Sequence, residues 1–191
     1  MLLGNYFHNI KNNYKNFFFS GISFDSNKIK KNYIFFAIRG NSIDGNNFIS
    51  HAIKNGAKII VTEKKISELK NGILFIQTKN VRKLLSEISF KIYNKIPKNI
   101  IAVTGTNGKS SIANFYYQIL NLNNKKVASI GTLGIKSKKF KKNLSNTTID
   151  PIQLSIILSN LKKKNINNVI MEASSHGLSQ NRLDGLSFNT G

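Results

Sequence analysis

Ile100-Ile101-Ala102-Val103-Thr104-Gly105-Thr106-Asn107-Gly108-Lys109-Ser110 is an apolar run that ends in a Gly-rich turn closing on a lysine and a serine. Ile100–Val103 reads as a buried strand, and Ile112–Leu120 as the helix that follows. Between them, glycines let backbone N–H groups approach a phosphate with no Cβ in the way. Lys109 is then placed to reach the β- and γ-phosphates, and the Ser110 hydroxyl to ligate Mg²⁺. The general phosphate-loop pattern has four residues between its first Gly and the Gly-Lys pair. Here Val103 stands where that first Gly belongs, and only Thr106 and Asn107 separate Gly105 from Gly108.

Downstream, strand and helix alternate. Ile100–Val103, Val127–Ile130 and Val169–Met171 are short apolar runs, with helices expected near 110–122 and 151–164. This alternation predicts parallel βαβ units, whose ligands sit at the carboxyl ends of the strands. The loop, Gly131-Thr132 and Glu172 all fall at such ends. Glu172 follows a strand in the same sheet as a phosphate loop, so it is a candidate to bind Mg²⁺ together with Ser110. The Lys/Asn-rich segment 136–146 reads as a polar loop, leaving a sheet of about three strands with open apolar edges. Asp150-Pro151 is a helix-start signal.

Upstream, Tyr33–Ile38, Lys58–Thr62 and Ile73–Gln77 read as strands, with helices over Phe48–Asn55 and Val81–Tyr93. Pro97 disfavours helix at Ile96 and is a plausible joint. The expected organisation is a small α/β domain over 1–97 and a phosphate-loop, parallel-sheet ATPase domain over 98–191.

Composition bounds the function classes. The chain has 191 residues and no cysteine, so neither a disulfide nor a Cys-based metal site can form. No apolar stretch approaches membrane-spanning length, and the polar, Asn-rich N-terminus does not read as a signal peptide, so a cytoplasmic location is the default. The formal charge of +21 would suit a nucleic-acid binder. The lysines scatter through loops and helix faces, however, and Lys, Asn and Ile are abundant throughout, as compositional drift produces. A basic surface of either origin favours anionic substrates by steering.

The compact Thr104–Ser110 loop resembles the ATP loop of the Mur ligase family, which builds the peptide stem of bacterial cell-wall precursors. Three further segments carry the same resemblance. Glu172-Ala173-Ser174-Ser175-His176-Gly177-Leu178 is similar to a signature of the tripeptide-forming branch. The D-glutamate-adding branch tends to show Ser-Ser-Phe-Gln there, and the alanine-adding branch has His where Asn107 stands. Asn146-Thr147-Thr148-Ile149-Asp150-Pro151 looks like the family's muramyl-peptide loop, with Ile149 replacing a proline. Phe24-Asp25-Ser26, then Tyr33–Gly40 and Asp44-Gly45, is similar to its uridine-nucleotide-binding domain, with Asn27 in place of an Arg and Asn32 in place of a Gly.

The resemblance implies an ATP- and Mg²⁺-dependent amide ligation. The D-Glu carboxylate of UDP-MurNAc-L-Ala-D-Glu would be activated as an acyl phosphate and attacked by the amine of a diamino acid, meso-diaminopimelate or L-lysine. By position, Thr104, Gly105, Thr106, Asn107, Gly108, Lys109 and Ser110 would bind ATP, with Lys109 and Glu172 as the catalytic pair and Ser110 and Glu172 on the metal. Phe24, Ser26, Asn41, Ser42, Ile43, Asn146, Thr147, Thr148, Ser174, Gln180 and Arg182 would contact the muramyl-peptide substrate. His176 either orients the site or packs beside the sheet.

The sequence ends at Gly191, where the family continues to a carbamylated lysine, a second metal and a C-terminal amino-acid pocket. The chain is therefore expected to be an N-terminal portion that cannot finish ligation alone. It is expected to be a monomer without nucleic-acid or membrane partners. The alternatives are a folylpolyglutamate-type ligase, which shares only the loop, and a nucleotide-binding remnant or basic nucleic-acid binder without ligase activity.

Overall fold

Runs such as Ile59-Ile60-Val61 are buried at every position, as strands covered on both faces of a parallel sheet must be. The computed structural model describes residues 1–8, 10–40, 42–138, 140–142 and 149–189. The chain forms two compact units, Met1–Ile88 and Ser89–Gly191. Ile96 and Pro97 belong to the second, where Pro97 is buried and Ile96 packs on the core.

In the first unit, β1 (Gly21–Ser23), β2 (Tyr33–Phe36), β3 (Ala57–Thr62), β4 (Leu69–Lys70) and β5 (Ile73–Gln77) form a sheet of order β1-β2-β3-β5-β4. All neighbours are parallel except the short edge pair β4–β5. Phe35, Ile60 and Phe75 lie side by side across three strands. They pack in one cluster with Ala52, Ile49 and Ile53 of helix α1 (Ile49–Lys54). Helix α2 (Val81–Ile92) starts where Glu63 Oε1 accepts from Val81 N–H (3.2 Å) and Asn80 Oδ1 from Lys83 N–H (2.9 Å), a side-chain cap for the orphan donors of a first turn.

The second unit is built on β6 (Asn99–Val103), helix α3 (Lys109–Leu122), β7 (Val127–Gly131), β8 (Gly134–Ser137), β9 (Phe140–Lys142), helix α4 (Pro151–Lys163), β10 (Asn168–Glu172) and helix α5 (Ser175–Ser179). Its sheet order is β6-β10-β7-β8-β9. The first three are parallel, and the last strand in sequence, β10, sits between β6 and β7, so the connections that carry α3 and α4 are crossovers. Ile100, Val169 and Ala128 form one row across it, and Leu154, Leu158 and Leu161 of α4 close over that row in the same core cluster. Asp150 caps α4 by accepting from Gln153 N–H (3.0 Å), with Pro151 in the first turn.

Two expectations need correction. The sheet has five strands, not about three, and residues 136–137 and 140–142 of the expected polar loop lie in the antiparallel hairpin β8–β9. A hairpin on a sheet edge needs apolar residues only on its inner face, and here Ile135 is fully buried while Lys136 faces out. Lysine-rich composition is therefore compatible with an edge strand, where charge also blocks further pairing. The opposite edge is engaged as well. Asn189 N–H donates to Ile100 C=O (2.9 Å), and Asn189 Oδ1 accepts from Ile100 N–H (2.8 Å).

Candidate functional site

The β6–α3 turn is held open by backbone geometry. Gly108 caps α3 with φ 80°, a left-handed conformation that costs a residue with a Cβ. Among the described residues no side chain caps that helix end, so its first N–H groups are available to an anion. Thr104 to Gly108 are exposed. Lys109 curls back over the loop and donates from Nζ to the carbonyls of Gly105 (2.6 Å) and Thr106 (3.2 Å). A phosphate that drew the ammonium away would leave those exposed carbonyls to water, at small cost.

Glu172, at the C-terminal end of β10, is buried and pairs in register with Val103 at the end of β6. Its Oε2 accepts from Ser110 Oγ (3.1 Å) and Thr132 Oγ1 (2.9 Å), and its Oε1 from Thr132 N–H (3.3 Å). Among the described residues no cation pairs with it. Its three hydrogen-bond donors are all neutral, so a bound metal ion would be its first charged partner among the described residues. The carboxylate lies flat on Gly131: a Cβ there would stand 2.1 Å from Oε1. The fold thus brings Ser110 and Glu172 into contact, while Lys109, next to Ser110 in the chain, is turned onto the loop carbonyls. The sequence puts Thr132 at a strand end and assigns it no role. Its hydroxyl contact to Glu172 depends on how the β7–β8 turn folds, which no local pattern announces. No group of three or more His, Cys, Asp or Glu side chains forms a ready-made metal cluster among the described residues. The donor set is instead one carboxylate and one hydroxyl, which suits a hard oxygen-seeking cation that takes its remaining ligands from phosphates and water.

Beyond Glu172 the chain turns into the short helix α5. Ser174 is its N-cap, accepting from Gly177 N–H (3.0 Å), and Gln180 is its C-cap. Arg182 donates to Gln180 Oε1 from Nε (3.0 Å) and a terminal guanidinium nitrogen (2.7 Å), while Gln180 Nε2 meets His176 Nε2 at 2.7 Å. Gln180 and Arg182 are therefore brought together, with His176 attached to Gln180 on the exposed side of α5. Asn146, Thr147 and Thr148 lie outside the described residues.

In the first unit the expected residues fall at the carboxyl ends of β1 and β2. Phe24 is exposed, as are Ser42 and Ile43, the latter on a turn closed by Gly40 N–H to Ile43 C=O (2.8 Å). Asn41 lies outside the described residues. Ser26 is buried, with His51 Nδ1 3.0 Å from its Oγ and Asn55 Nδ2 donating to its carbonyl (2.9 Å). Asp44 caps the next turn, accepting from the N–H (2.8 Å) and side-chain amide (2.7 Å) of Asn46. These hydrogen bonds, the backbone one first, hold its carboxyl below the usual aspartate range. Asn46 Oδ1 in turn accepts from the buried Thr62 hydroxyl (2.6 Å).

Comparison with known proteins bears on both units. A family model described as Mur ligase family, catalytic domain, matches residues 19–93, and one described as Mur ligase middle domain matches residues 103–191. The UDP-N-acetylmuramoyl-L-alanyl-D-glutamate–2,6-diaminopimelate ligase of Rickettsia prowazekii (strain Madrid E) is 38% identical over 186 residues, covering 95% of this chain and 38% of that protein. The ligase of the same name from Wigglesworthia glossinidia brevipalpis is 42% identical over 178 residues, covering 88% of this chain and 36% of its own length. A solved ligase of that name superposes with a TM-score of 0.80 at 29% identity, over 95% of this chain and 37% of that one. The MurF ligase of Thermotoga maritima, solved in complex with ADP, shares the fold with a TM-score of 0.53 at 20% identity, over 81% of this chain and 32% of that one. The chain thus spans little more than a third of the length of the relatives it matches.

Proposed function

The chain belongs to the Mur ligase family, and we propose that it holds the nucleotide site and the muramyl-peptide site of an ATP-dependent ligase of peptidoglycan synthesis. The reaction is addition of a diamino acid to UDP-MurNAc-L-Ala-D-Glu, in the cytoplasm, by a monomer with only small-molecule partners. The names of the relatives favour 2,6-diaminopimelate over lysine as that amino acid. No described helix is long and apolar enough to cross a membrane.

The observation that carries the proposal is the Ser110–Glu172 hydrogen bond, which joins the end of the phosphate loop to a buried carboxylate at the carboxyl edge of the sheet. The loop N–H groups and Lys109 bind the polyphosphate and hold positive charge beside the phosphoryl group that moves. Ser110 and Glu172 would hold Mg²⁺, whose contribution when bound is to neutralise phosphate charge. Arg182, preset by Gln180, presents a planar fork suited to a substrate carboxylate. In the first unit, Ser26, Phe24 and the Ser42-Ile43 turn receive the uridine end. The domain limits proposed are 1–97 for the uridine-nucleotide domain and 98–191 for the ATP-binding domain.

Two calorimetric titrations of the purified chain test this, one with ATP and Mg²⁺ and one with UDP-MurNAc-L-Ala-D-Glu. Saturable binding of both is expected. Binding of neither, together with salt-sensitive binding of arbitrary DNA, would favour the nucleic-acid alternative.

A further inference from the structure

Glu172 can act on a metal ion only if its carboxylate is kept in one place. A glutamate side chain has several rotatable bonds, and nothing charged anchors this one among the described residues. Its anchoring is local. Thr132 supplies two of its three hydrogen bonds, one to each oxygen: the hydroxyl to Oε2 at 2.9 Å and the backbone N–H to Oε1 at 3.3 Å. Ser110, the third donor, sits at 3.1 Å. Gly131 completes the seat, since its missing Cβ leaves the room that the carboxylate occupies. The hydroxyl of Ser110, by giving its proton to Glu172, keeps its oxygen lone pairs for another acceptor-seeking group.

Resting on the nucleotide-site proposal above, we infer that Thr132 is a positioning residue: its hydroxyl pins Glu172 against Gly131, and so determines how well Ser110 and Glu172 together receive the divalent cation. Thr132 is itself largely exposed, so its hydroxyl is not needed to satisfy the core. Without it, Oε2 keeps only the longer bond from Ser110, and the carboxylate is free to swing on the remaining amide contact. The loop N–H groups and Lys109 are untouched by that change. The effect is therefore selective: metal-dependent nucleotide binding weakens, and metal-free binding does not. Groups that orient a metal ligand from behind typically govern its affinity by 10- to 100-fold.

The test measures the affinity of the chain for ATP with and without Mg²⁺, in the wild type, Thr132→Val, Thr132→Ala and Thr132→Ser, with thermal melts alongside to verify folding. The expected result is that Mg²⁺ tightens ATP binding in the wild type and that Val and Ala cut this tightening by roughly tenfold or more. Ser restores it, and metal-free affinity is the same in all four. Retention of the wild-type Mg²⁺ effect by folded Val and Ala variants would overturn the inference. So would Ser behaving like Val, which would assign the effect to the methyl group, or an equal loss with and without Mg²⁺. Absence of Mg²⁺-dependent ATP binding in the wild type is a separate outcome, which removes the nucleotide-site proposal itself.

Discussion

The two units place their candidate residues alike, at the carboxyl ends of parallel strands, but support them differently. In the second unit a buried carboxylate, Glu172, is held by neutral donors from helix α3 and from the β7–β8 turn. In the first, buried hydroxyls do the holding: Ser26 is tied to His51, and Thr62 to Asn46, which is tied to Asp44. A buried carboxylate held by neutral donors beside a phosphate loop is placed for what it binds, whereas a satisfied buried hydroxyl network stabilises the unit that contains it. Removing a ligand-facing charge in the second unit should therefore change ligand binding with little effect on stability, whereas removing a buried hydroxyl in the first should show in stability.

The largest expected effect is on ligand binding in the second unit. Lys109→Met should weaken ATP binding by roughly a hundredfold, the scale of a lost charge-assisted contact, and leave the melting temperature unchanged. A matching loss of stability would break the contrast. Gly131→Ala comes next, because its Cβ would collide with Glu172 Oε1. Displacing a buried group in this way costs about 1–3 kcal/mol in denaturant unfolding, and the variant should lose the Mg²⁺ effect as well.

In the first unit, Thr62→Val leaves Asn46 Oδ1 without its buried donor and should cost about 1 kcal/mol. A urea titration would show it, and ATP affinity should not change. The smallest effect belongs to Asp44, whose carboxyl is held below its ordinary range by the Asn46 hydrogen bonds. With the folded pKa below the unfolded one, its contribution is present above the unfolded value near 4 and is lost as pH falls through the folded value. Melting temperatures of wild type and Asp44→Asn should thus differ most near neutral pH and converge at the acid end. A gap that widened on acidification would contradict the Asp44 assignment.

The same difference governed what could be read from sequence. Thr104–Ser110 and Glu172 directly follow short apolar runs, so their place at strand ends followed from the alternation of strand and helix signals. Strand β5 and helices α2, α3 and α4 fall within a few residues of where their patterns put them, because apolar spacing and the Asp150-Pro151 cap are local signals. The β8–β9 hairpin did not announce itself, since Lys136, Lys141 and Lys142 satisfy an edge strand as readily as a loop. Strand β1 is short, and Ser20–Ser23 has little alternation to detect. The Thr132 contact and the Ser26–His51 pair join residues far apart in sequence, so only the folded chain could reveal them.

The central claim is that Ser110 and Glu172 form the metal end of a nucleotide site. Its most direct test is the Mg²⁺ dependence of ATP binding in wild type and Glu172→Gln, an isosteric change that removes the charge. Glu172→Gln is expected to bind metal-free ATP as the wild type does and to lose the tightening by Mg²⁺, with thermal melts confirming that it folds. A Glu172→Gln variant that kept the full Mg²⁺ effect, or a folded wild-type chain that bound no ATP, would contradict it.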